Sequence, residues 1–239
     1  MNIALIFAGG TGQRMNTKTM PKQFLELHGK PILVYTLEQF QRHNEIDGIV
    51  LVSLAEWIDH CNELVELYRL SKVAAVVPGG DTGQSSIYHG LEKASGLYPQ
   101  DSIVLIHDGV RPLIDAATIS NAIRCVEEHG SAVTVSPAIE TVALKTEHGE
   151  IDEIIDRSRC QMAKAPQCFR LGEIRVAHEQ ARNEGIQNFI DSASLMRHYG
   201  YTIFTVEGPA ENIKITTPSD FYIFRALSDA RENSQIFGV

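Results

Sequence analysis

A glycine-rich loop and two cations follow the first apolar run of the sequence. Asn2–Phe7 is continuously apolar, AGGTG occupies positions 8–12, and Arg14 and Lys22 come next. Glycines placed directly after a first parallel strand allow a ligand to lie against backbone N–H groups. Two cations beside such a loop suit a triphosphate whose charge must be neutralised while its α-phosphorus is attacked. Solvated loop charges are the plainer interpretation of the same two residues.

Several familiar nucleotide-binding and catalytic patterns do not occur in the sequence. The dinucleotide pattern G-x-G-x-x-G begins at Gly10 and Gly12, but Met15 stands where the third glycine is required. No G-K-[ST] triplet of a P-loop, no H-E-x-x-H zinc motif and no G-x-S-x-G serine motif is present. These absences argue against a dinucleotide-dependent reductase, a P-loop NTPase and a serine hydrolase.

Five further segments decide between the remaining functions. They are PKQFLELHGKPIL (21–33), PGGDTGQSSIYHGL (78–91), HDGVRPLI (107–114), APQCF (165–169) and ENIKITTPSDF (211–221). Together with AGGTGQRM (8–15) they resemble, in order and spacing, the sugar-alcohol-phosphate cytidylyltransferases, over essentially the whole chain. The resemblance implies transfer of CMP from CTP to a polyol phosphate, release of pyrophosphate, a requirement for Mg²⁺ and a homodimer.

The resemblance also implies a role for each matching residue. Arg14, Lys22 and Lys214 are implied as catalytic cations. The residues implied to bind the nucleotide are Ala8, Gly9, Gly10, Thr11, Gly12, Gly79, Gly80, Asp81, Ser86, Asp108 and Gly109. Asp108 is also a natural Mg²⁺ ligand at a strand end, with Glu211 or the adjacent Asn212 as a second ligand.

A separate group of residues is implied to bind the acceptor: Arg111, Thr141, Arg157, Asp191 and Thr216. A planar guanidinium such as that of Arg157 fits a terminal phosphate, and Arg157 is implied to reach the partner subunit's acceptor together with Thr141. Arg159 competes for that role. His107 is expected to pack at a strand end, because a phosphate monoester is already ionised at neutral pH and needs no general base.

The acceptor itself is suggested by a few positions. Val110 before Arg111, Ala143 where isoprenoid enzymes carry lysine, and EWIDHCNELVELY at 56–68 are more similar to ribitol-5-phosphate enzymes. Gly83 and Ala165 depart from both subfamilies. The sequence therefore favours D-ribitol 5-phosphate, with 2-C-methyl-D-erythritol 4-phosphate as the alternative and a catalytically silent CTP-binding protein as a third interpretation.

The elements that must position these residues alternate between strand and helix, as in a mostly parallel sheet covered on both faces. The predicted strands are Asn2–Phe7, Gly48–Ser53, Val73–Val77, Ser102–Ile106, Ser131–Pro137 and Thr202–Val206. The predicted helices are 31–43, 55–70, 84–95, 171–183, 191–199 and one that begins after Pro218. A hairpin of Thr141–Lys145 and Ile151–Ile155 is expected to project from the sheet. The resemblance implies an α/β, three-layer, Rossmann-like nucleotidyltransferase fold as a single domain over 1–239, with residues 138–164 as a β-arm used in dimerisation.

Composition limits the partners. The chain has 239 residues, 44% of them hydrophobic, and a formal net charge of −9, which argues against a nucleic-acid surface or an anionic membrane as partner. No apolar run approaches the length of a membrane span, no signal peptide is apparent, and the four cysteines lack C-x-x-C spacing. We therefore expect a cytoplasmic protein with reduced thiols.

Overall fold

A computed structural model describes residues 1–10 and 20–237. Its strands are β1 (Asn2–Ala8), β2 (Glu26–Leu27), β3 (Lys30–Pro31), β4 (Gly48–Ser53), β5 (Val73–Pro78), β6 (Ile103–Asp108), β7 (Ser131–Pro137), β8 (Val142–Lys145), β9 (Ile151–Ile155), β10 (Gln161–Arg170) and β11 (Thr205–Glu207). Its α-helices are α1 (Ile32–Arg42), α2 (Ile58–Leu67), α3 (Gly83–Leu97), α4 (Ala116–His129), α5 (Leu171–Asn183), α6 (Ser192–His198) and α7 (Pro218–Phe237).

Seven strands form the central sheet in the order β11-β7-β10-β6-β1-β4-β5. β1 pairs in parallel with β4 and β6, β4 with β5, and β7 with β11, whereas β10 runs antiparallel to both of its neighbours. The predicted mostly parallel α/β fold is confirmed. Because β1, β4 and β6 end at the same edge, the residues that follow their carboxyl ends lie near one another, where open α/β sheets bind ligands.

Helices cover both faces of this sheet, and alternate residues of β1 pack against each layer. Ala4 and Ile6 pack in the cluster that contains residues of α1, α2 and α4, whereas Ile3 and Leu5 pack with α3, α5 and α6. Such strands are buried on both faces, which explains their nearly continuous apolar sequence. Each fully buried aliphatic side chain contributes roughly 1.5–3 kcal/mol relative to an exposed one.

Helix α3 approaches the sheet closely at Gly90. A Cβ at this position would lie 2.7 Å from Val52 Cγ2 and 2.9 Å from Leu5 Cδ1. Glycine therefore permits a helix-to-sheet distance that a larger residue would increase. This contact fixes the middle of α3 relative to β1 and β4.

The hairpin of β8 and β9 forms a two-stranded antiparallel sheet of its own, separate from the central sheet. It lies within the predicted arm, residues 138–164, and its apolar side chains are exposed: Ile151 is 68% and Ile154 64% accessible. The predicted hairpin is confirmed, and its use in dimerisation stays a prediction.

Four of the strands and helices were not predicted from the sequence: the short antiparallel pair β2 and β3, and two longer elements. One is α4, which is capped by the Asp115 side chain accepting from Thr118 N and ends at Gly130 with φ 86°. The other is β10, an interior strand in which the pairing with β7 shifts between Ala163 and Gln167. The bulge allows a strand that contains Pro166 to continue between two neighbours.

Some predicted bounds also change. The predicted helix 55–70 is a 3₁₀ turn over Ala55–Trp57 followed by the shorter α2, and the last strand begins at Thr205 rather than Thr202. In the part of the chain that the structure describes, no helix combines the length and apolarity needed to cross a membrane.

Candidate active site

Asp108, the last residue of β6, is the centre of a partly buried group of charges. Lys214 Nζ lies 2.6 Å from Asp108 Oδ1, and Arg111 Nε lies 2.7 Å from Asp108 Oδ2. The Asp108 side chain is 8% exposed, Arg111 is 12% exposed and Lys214 is 41% exposed. These three residues, called the charge triad below, combine two cations with one anion and so carry a net positive charge.

The charge triad keeps Asp108 ionised. Burial disfavours the carboxylate, but the Lys214 ammonium and the Arg111 guanidinium outweigh burial and lower the pKa of Asp108 from 3.8 to about 2. At neutral pH the carboxylate therefore orients both cations and is itself available as an anionic ligand.

Arg111 is held by backbone contacts as well as by Asp108. Its Nη1 donates to Asn212 O at 2.9 Å, and its own carbonyl lies 3.1 Å from His107 Nε2. His107 is fully buried, and burial lowers its pKa to about 4. A neutral imidazole that packs edge-on against Phe40 supports the expected packing role of His107.

A first cleft, called the glycine cleft, lies at the carboxyl ends of β1 and β6 and beside the loop that follows β5, and has a volume of about 610 Å³. The residues that line it are Phe7, Ala8, Gly9, Gly10, Lys22, Gln23, Gly80, Asp81, Thr82, Gly83, Ser86, Asp108, Val110, Lys214 and Thr216. Most of the residues predicted to bind the nucleotide thus lie around this one cleft.

The glycines of this cleft allow backbone to approach the start of α3. A Cβ on Gly79 would lie 2.8 Å from Ser86 Oγ, and one on Gly9 would lie 3.1 Å from the same atom. Ser86 Oγ accepts a hydrogen bond from Gly80 N at 3.1 Å. Ser86 therefore ties the 79–80 loop to α3, while Thr82 caps that helix by accepting from Ser85 N.

The opposite wall is held by the segment that follows Pro21. Lys22 Nζ donates to Ile215 O at 3.0 Å, and Gln23 Nε2 donates to Ala8 O at 2.6 Å. Because Gln23 is buried, its amide fixes Lys22 relative to the end of β1. Lys22 thereby also contacts the segment that carries Lys214.

A second cleft, called the α3–α5 cleft, adjoins the first and has a volume of about 400 Å³. It shares with the glycine cleft Phe7, Thr82, Gly83, Asp108 and Lys214. Its other polar lining residues are Gln84, Arg111, Lys164, Gln167, His178, Gln187, Asp191 and Ser192. The charge triad therefore lies on the border of two clefts, where a group bound in one can meet a group bound in the other.

Comparison with known proteins identifies the family. The family model described as "IspD: 2-C-methyl-D-erythritol 4-phosphate cytidylyltransferase" matches residues 2–228. The chain belongs to the IspD family.

Known members of the IspD family differ in their acceptors. The chain is 55% identical over 239 residues to a ribitol-5-phosphate cytidylyltransferase of Streptococcus agalactiae serotype III (strain NEM316), and the match covers 100% of each chain. It is 37% identical over 222 residues to a 2-C-methyl-D-erythritol 4-phosphate cytidylyltransferase of Clostridium botulinum (strain Loch Maree / Type A3), covering 93% of this chain and 95% of the relative.

A solved IspD-family structure shares the fold. The 4-diphosphocytidyl-2C-methyl-D-erythritol synthase of Anaerococcus prevotii DSM 20548 superimposes with a TM-score of 0.82 at 27% identity, over 96% of each chain. The sheet order and the helical layers described above are therefore those of a cytidylyltransferase.

Most of the other residues that family resemblance predicted can now be placed. Gly79 and Gly109 are chain neighbours of residues that line the glycine cleft, and backbone hydrogen bonds hold both to the central sheet. Gly79 N donates to Ser53 O at 2.7 Å, and Gly109 N donates to Phe7 O at 2.9 Å. Arg14, Thr11 and Gly12 lie outside the described residues, so their roles stay predictions.

The predicted acceptor residues divide into two groups. Arg111 and Asp191 line the α3–α5 cleft and Thr216 lines the glycine cleft. Thr141 and Arg157 line neither cleft: Thr141 is exposed beside the hairpin, and Arg157 Nη1 donates to Ile139 O at 2.7 Å. Within one chain these two residues are not brought to the charge triad, and the predicted contact through a partner subunit stays a prediction.

The predicted metal ligands are also only partly brought together. Asp108 faces both clefts, whereas Glu211 is exposed and lines neither. Its neighbour Asn212 is buried and turns its amide to Ala165 O at 2.7 Å. Among the described residues, no three His, Cys, Asp or Glu side chains cluster as metal ligands would. The donor set fits a cation that takes one protein carboxylate, with phosphate oxygens completing its coordination, as Mg²⁺ does in phosphoryl-transfer sites.

Two positioning residues were missed by sequence reasoning. Asp220 Oδ2 accepts hydrogen bonds from Thr216 N, Thr216 Oγ1 and Thr217 N, at 2.7–2.8 Å. The pattern T-x-x-D before an apolar helix is a capping box and could have indicated it. Lys164 lines the α3–α5 cleft and donates to Ala210 O at 2.7 Å. It lies on a bulged strand, which has no local sequence pattern by which Lys164 could have been recognised.

Proposed function

We propose that this protein transfers CMP from CTP to D-ribitol 5-phosphate, giving CDP-ribitol and pyrophosphate. The observation that carries the proposal is the position of the charge triad on the border of the two clefts. CTP would occupy the glycine cleft, the acceptor phosphate would enter from the α3–α5 cleft, and the reacting phosphorus would lie beside Lys214 and Arg111.

In the proposed reaction, an oxygen of the acceptor phosphate forms a bond to the α-phosphorus of CTP. The bond from that phosphorus to the bridging oxygen breaks, and pyrophosphate leaves with the electron pair. Positive charge from Lys22 and Lys214 would stabilise the phosphate oxygens as charge shifts toward the leaving group, with Arg14 as a further predicted contributor. No general base is needed, because the acceptor phosphate is already ionised.

Ribitol 5-phosphate is proposed as the acceptor because the full-length relative at 55% identity is named for it, whereas the relative named for methylerythritol phosphate is 37% identical. The sequence features that favoured ribitol, Val110 and Ala143 among them, point the same way. Methylerythritol phosphate remains the alternative acceptor.

We further propose that Mg²⁺ binds Asp108 together with phosphate oxygens of CTP. The carboxylate is ionised at neutral pH, as its lowered pKa requires. When bound, Mg²⁺ would supply further neutralisation of triphosphate charge. Lys214 and Arg111 would keep the carboxylate oriented toward the phosphates.

A homodimer with shared active sites is the last part of the proposal. Apolar side chains on and beside the hairpin are exposed in the single chain: Ile139, Leu144, Ile151, Ile154 and Met162. Exposed apolar patches of this kind mark interfaces between chains. Arg157 and Thr141, which lie beside this patch, would then reach the acceptor phosphate of the partner subunit.

The deciding experiment measures pyrophosphate release from CTP and Mg²⁺ with each acceptor offered separately. We expect kcat/KM for ribitol 5-phosphate to exceed that for methylerythritol 4-phosphate by at least about 100-fold, a difference of roughly 3 kcal/mol in transition-state binding. The reverse preference would place the protein in isoprenoid synthesis. CTP binding without pyrophosphate release from either acceptor would support the silent-binder interpretation.

A complementation assay tests the shared site. Arg157→Ala and Lys214→Met are each expected to lose activity, and mixing the two variants with exchange of subunits should restore part of it. Restoration follows because one mixed site would carry neither substitution. Sedimentation at several concentrations establishes the oligomeric state, and a monomer with full activity contradicts the shared site.

A further inference from the structure

The α3–α5 cleft contains a histidine that the proposed chemistry does not use. His178 belongs to α5, is 1% exposed, and lines the cleft beside Ile87 and Leu195. The same cleft is lined by Asp108, Arg111 and Lys214, so His178 and the charge triad border one continuous space.

The ring nitrogens of His178 lack partners within the described part of the chain. Neither Nδ1 nor Nε2 has a hydrogen bond there, and the contact with Tyr88 is between rings whose centroids lie 6.3 Å apart. Burial lowers the pKa of His178 to about 4, so the imidazole is neutral at pH 7 and presents one N–H donor and one nitrogen acceptor. A buried polar group without partners lowers stability, and a leucine would pack at the same position without that cost.

Neighbouring polar side chains of the cleft, in contrast, are used for structure. Gln84 Nε2 donates to Ile186 O at 2.9 Å and Gln84 Oε1 accepts from Phe189 N at 3.2 Å. Asp191 Oδ1 accepts from Ser194 N and its Oδ2 from Gln167 Nε2, both at 2.8 Å. These bonds fix the segment that closes the cleft next to α5, and none of them uses the ring nitrogens of His178, which are buried at the wall of the cleft.

Resting on the proposed function, we infer that His178 binds a hydroxyl group of the acceptor's polyol chain and is a specificity-determining residue for that acceptor. A hydroxyl both donates and accepts, which matches a neutral imidazole. The phosphate of the same molecule would lie at the charge triad. Burial of the imidazole makes the selection strong, because a site built around a buried polar group disfavours a ligand that leaves this group unpaired.

The test compares His178→Leu with the wild-type enzyme in steady-state assays with CTP and ribitol 5-phosphate. We expect kcat/KM for ribitol 5-phosphate to fall roughly 10- to 100-fold, as loss of one or two buried hydrogen bonds implies. The KM for CTP should stay unchanged. The Tm of the free enzyme should stay equal or rise by about 2–4 °C, because two unpartnered buried nitrogens are removed.

Further variants and analogues sharpen the comparison. His178→Gln, which retains a donor and an acceptor, should recover part of the loss. His129→Leu, a matched control on α4 outside both clefts, should leave kcat/KM unchanged. Among ribitol 5-phosphate analogues with single hydroxyls replaced by hydrogen, wild type should discriminate against at least one that His178→Leu accepts as well as the parent.

Distinct outcomes overturn the inference and the proposed function. Unchanged kcat/KM in His178→Leu, or a loss that affects CTP equally and is accompanied by a lower Tm, refutes the role of His178 alone. Wild type that releases no pyrophosphate with ribitol 5-phosphate refutes the proposed acceptor, and the inference fails with it.

Discussion

Replacing Lys214 by methionine tests the charge triad directly. The substitution keeps the length of the side chain and removes the ammonium that lies 2.6 Å from Asp108 Oδ1. Lys214 is the strongest of the influences that lower the pKa of Asp108, and that pKa falls from 3.8 to about 2 against the effect of burial. The difference of nearly two units corresponds to roughly 2 kcal/mol of stability at neutral pH.

Only part of this free energy should be lost in Lys214→Met. Arg111 still pairs with Asp108, and the Lys214 side chain is 41% exposed, so solvent screens part of the attraction. We expect the free energy of unfolding to fall by about 1 kcal/mol, which lowers Tm by about 2–4 °C in a domain of this size. We expect kcat to fall by a factor of about 10²–10³, as for the loss of one electrostatic donor at a transition state.

The pH dependence of stability provides an independent check. A carboxylate with a lowered folded-state pKa contributes stability above its unfolded pKa and loses it as the pH falls through the folded pKa. The stability difference between wild type and Lys214→Met should therefore be full above about pH 4 and shrink between pH 4 and about 2. Urea unfolding at pH 7 and at pH 3 measures this difference.

Lys93→Met is the matched control, because Lys93 is exposed on α3 and lines neither cleft. It should change neither kcat nor the unfolding free energy by a measurable amount. A kcat for Lys214→Met within tenfold of wild type would refute the catalytic role. A stability difference that is equal at pH 7 and pH 3 would refute the electrostatic explanation.

Three further substitutions test how the clefts are built. In Gly90→Ala the added Cβ lies 2.7–2.9 Å from side chains of β4 and β1, so urea unfolding should show a net loss of about 1–2 kcal/mol despite the better helix propensity of alanine. In Gly79→Ala the added Cβ lies 2.8 Å from Ser86 Oγ. We expect the KM for CTP to rise roughly fivefold because one displaced hydrogen bond is worth about 1 kcal/mol, and an unchanged KM would contradict this. Asp220→Asn removes the carboxylate that binds Thr216 and should lower the unfolding free energy by about 1 kcal/mol. Because these hydrogen bonds lower the pKa of Asp220 despite burial, this loss of stability should appear at neutral pH and shrink on acidification.

The first half of the fold follows from sequence with little ambiguity. β1 and β4 are continuously apolar and buried on both faces, so their limits coincide with clear changes in composition. The glycines that follow β1 and β5 also identify the ligand edge of the sheet. Local pattern and tertiary environment agree in these elements, which is why the predicted strand Gly48–Ser53 has the same limits as β4.

The elements that sequence reasoning missed depend on information of other kinds. The ends of α4 are marked by Asp115 and Gly130, a cap and a left-handed terminator that were readable in principle. β10 could not be recognised locally, because Pro166 argues against an interior strand and only the pairing with β6 and β7 accommodates it. The residues of β7 that pair with β10 on either side of the bulge are determined by tertiary contacts and not by local sequence.

The same distinction applies to the site. Asp108 and Lys214 were found because the family resemblance covers their motifs. His178 was missed because a single histidine on an amphipathic helix is ordinary in sequence, and its lack of partners is visible only when α3, α5 and α6 are packed together.

The bulge in β10 affects how readily the lining of the α3–α5 cleft can change. Lys164 and Ala165 lie where the register with β7 shifts, so their identities are not tied to the hydrogen-bonded ladder on either side. Both line the α3–α5 cleft, whereas Cys168 and Phe169 on the same strand belong to the two core clusters. Point substitutions in the bulge can therefore alter the lining of the α3–α5 cleft, the proposed acceptor site, while the sheet is preserved. One strand thus combines a stretch of cleft lining that can change with a stretch that the core requires, so the lining of the cleft can vary on an unchanged scaffold.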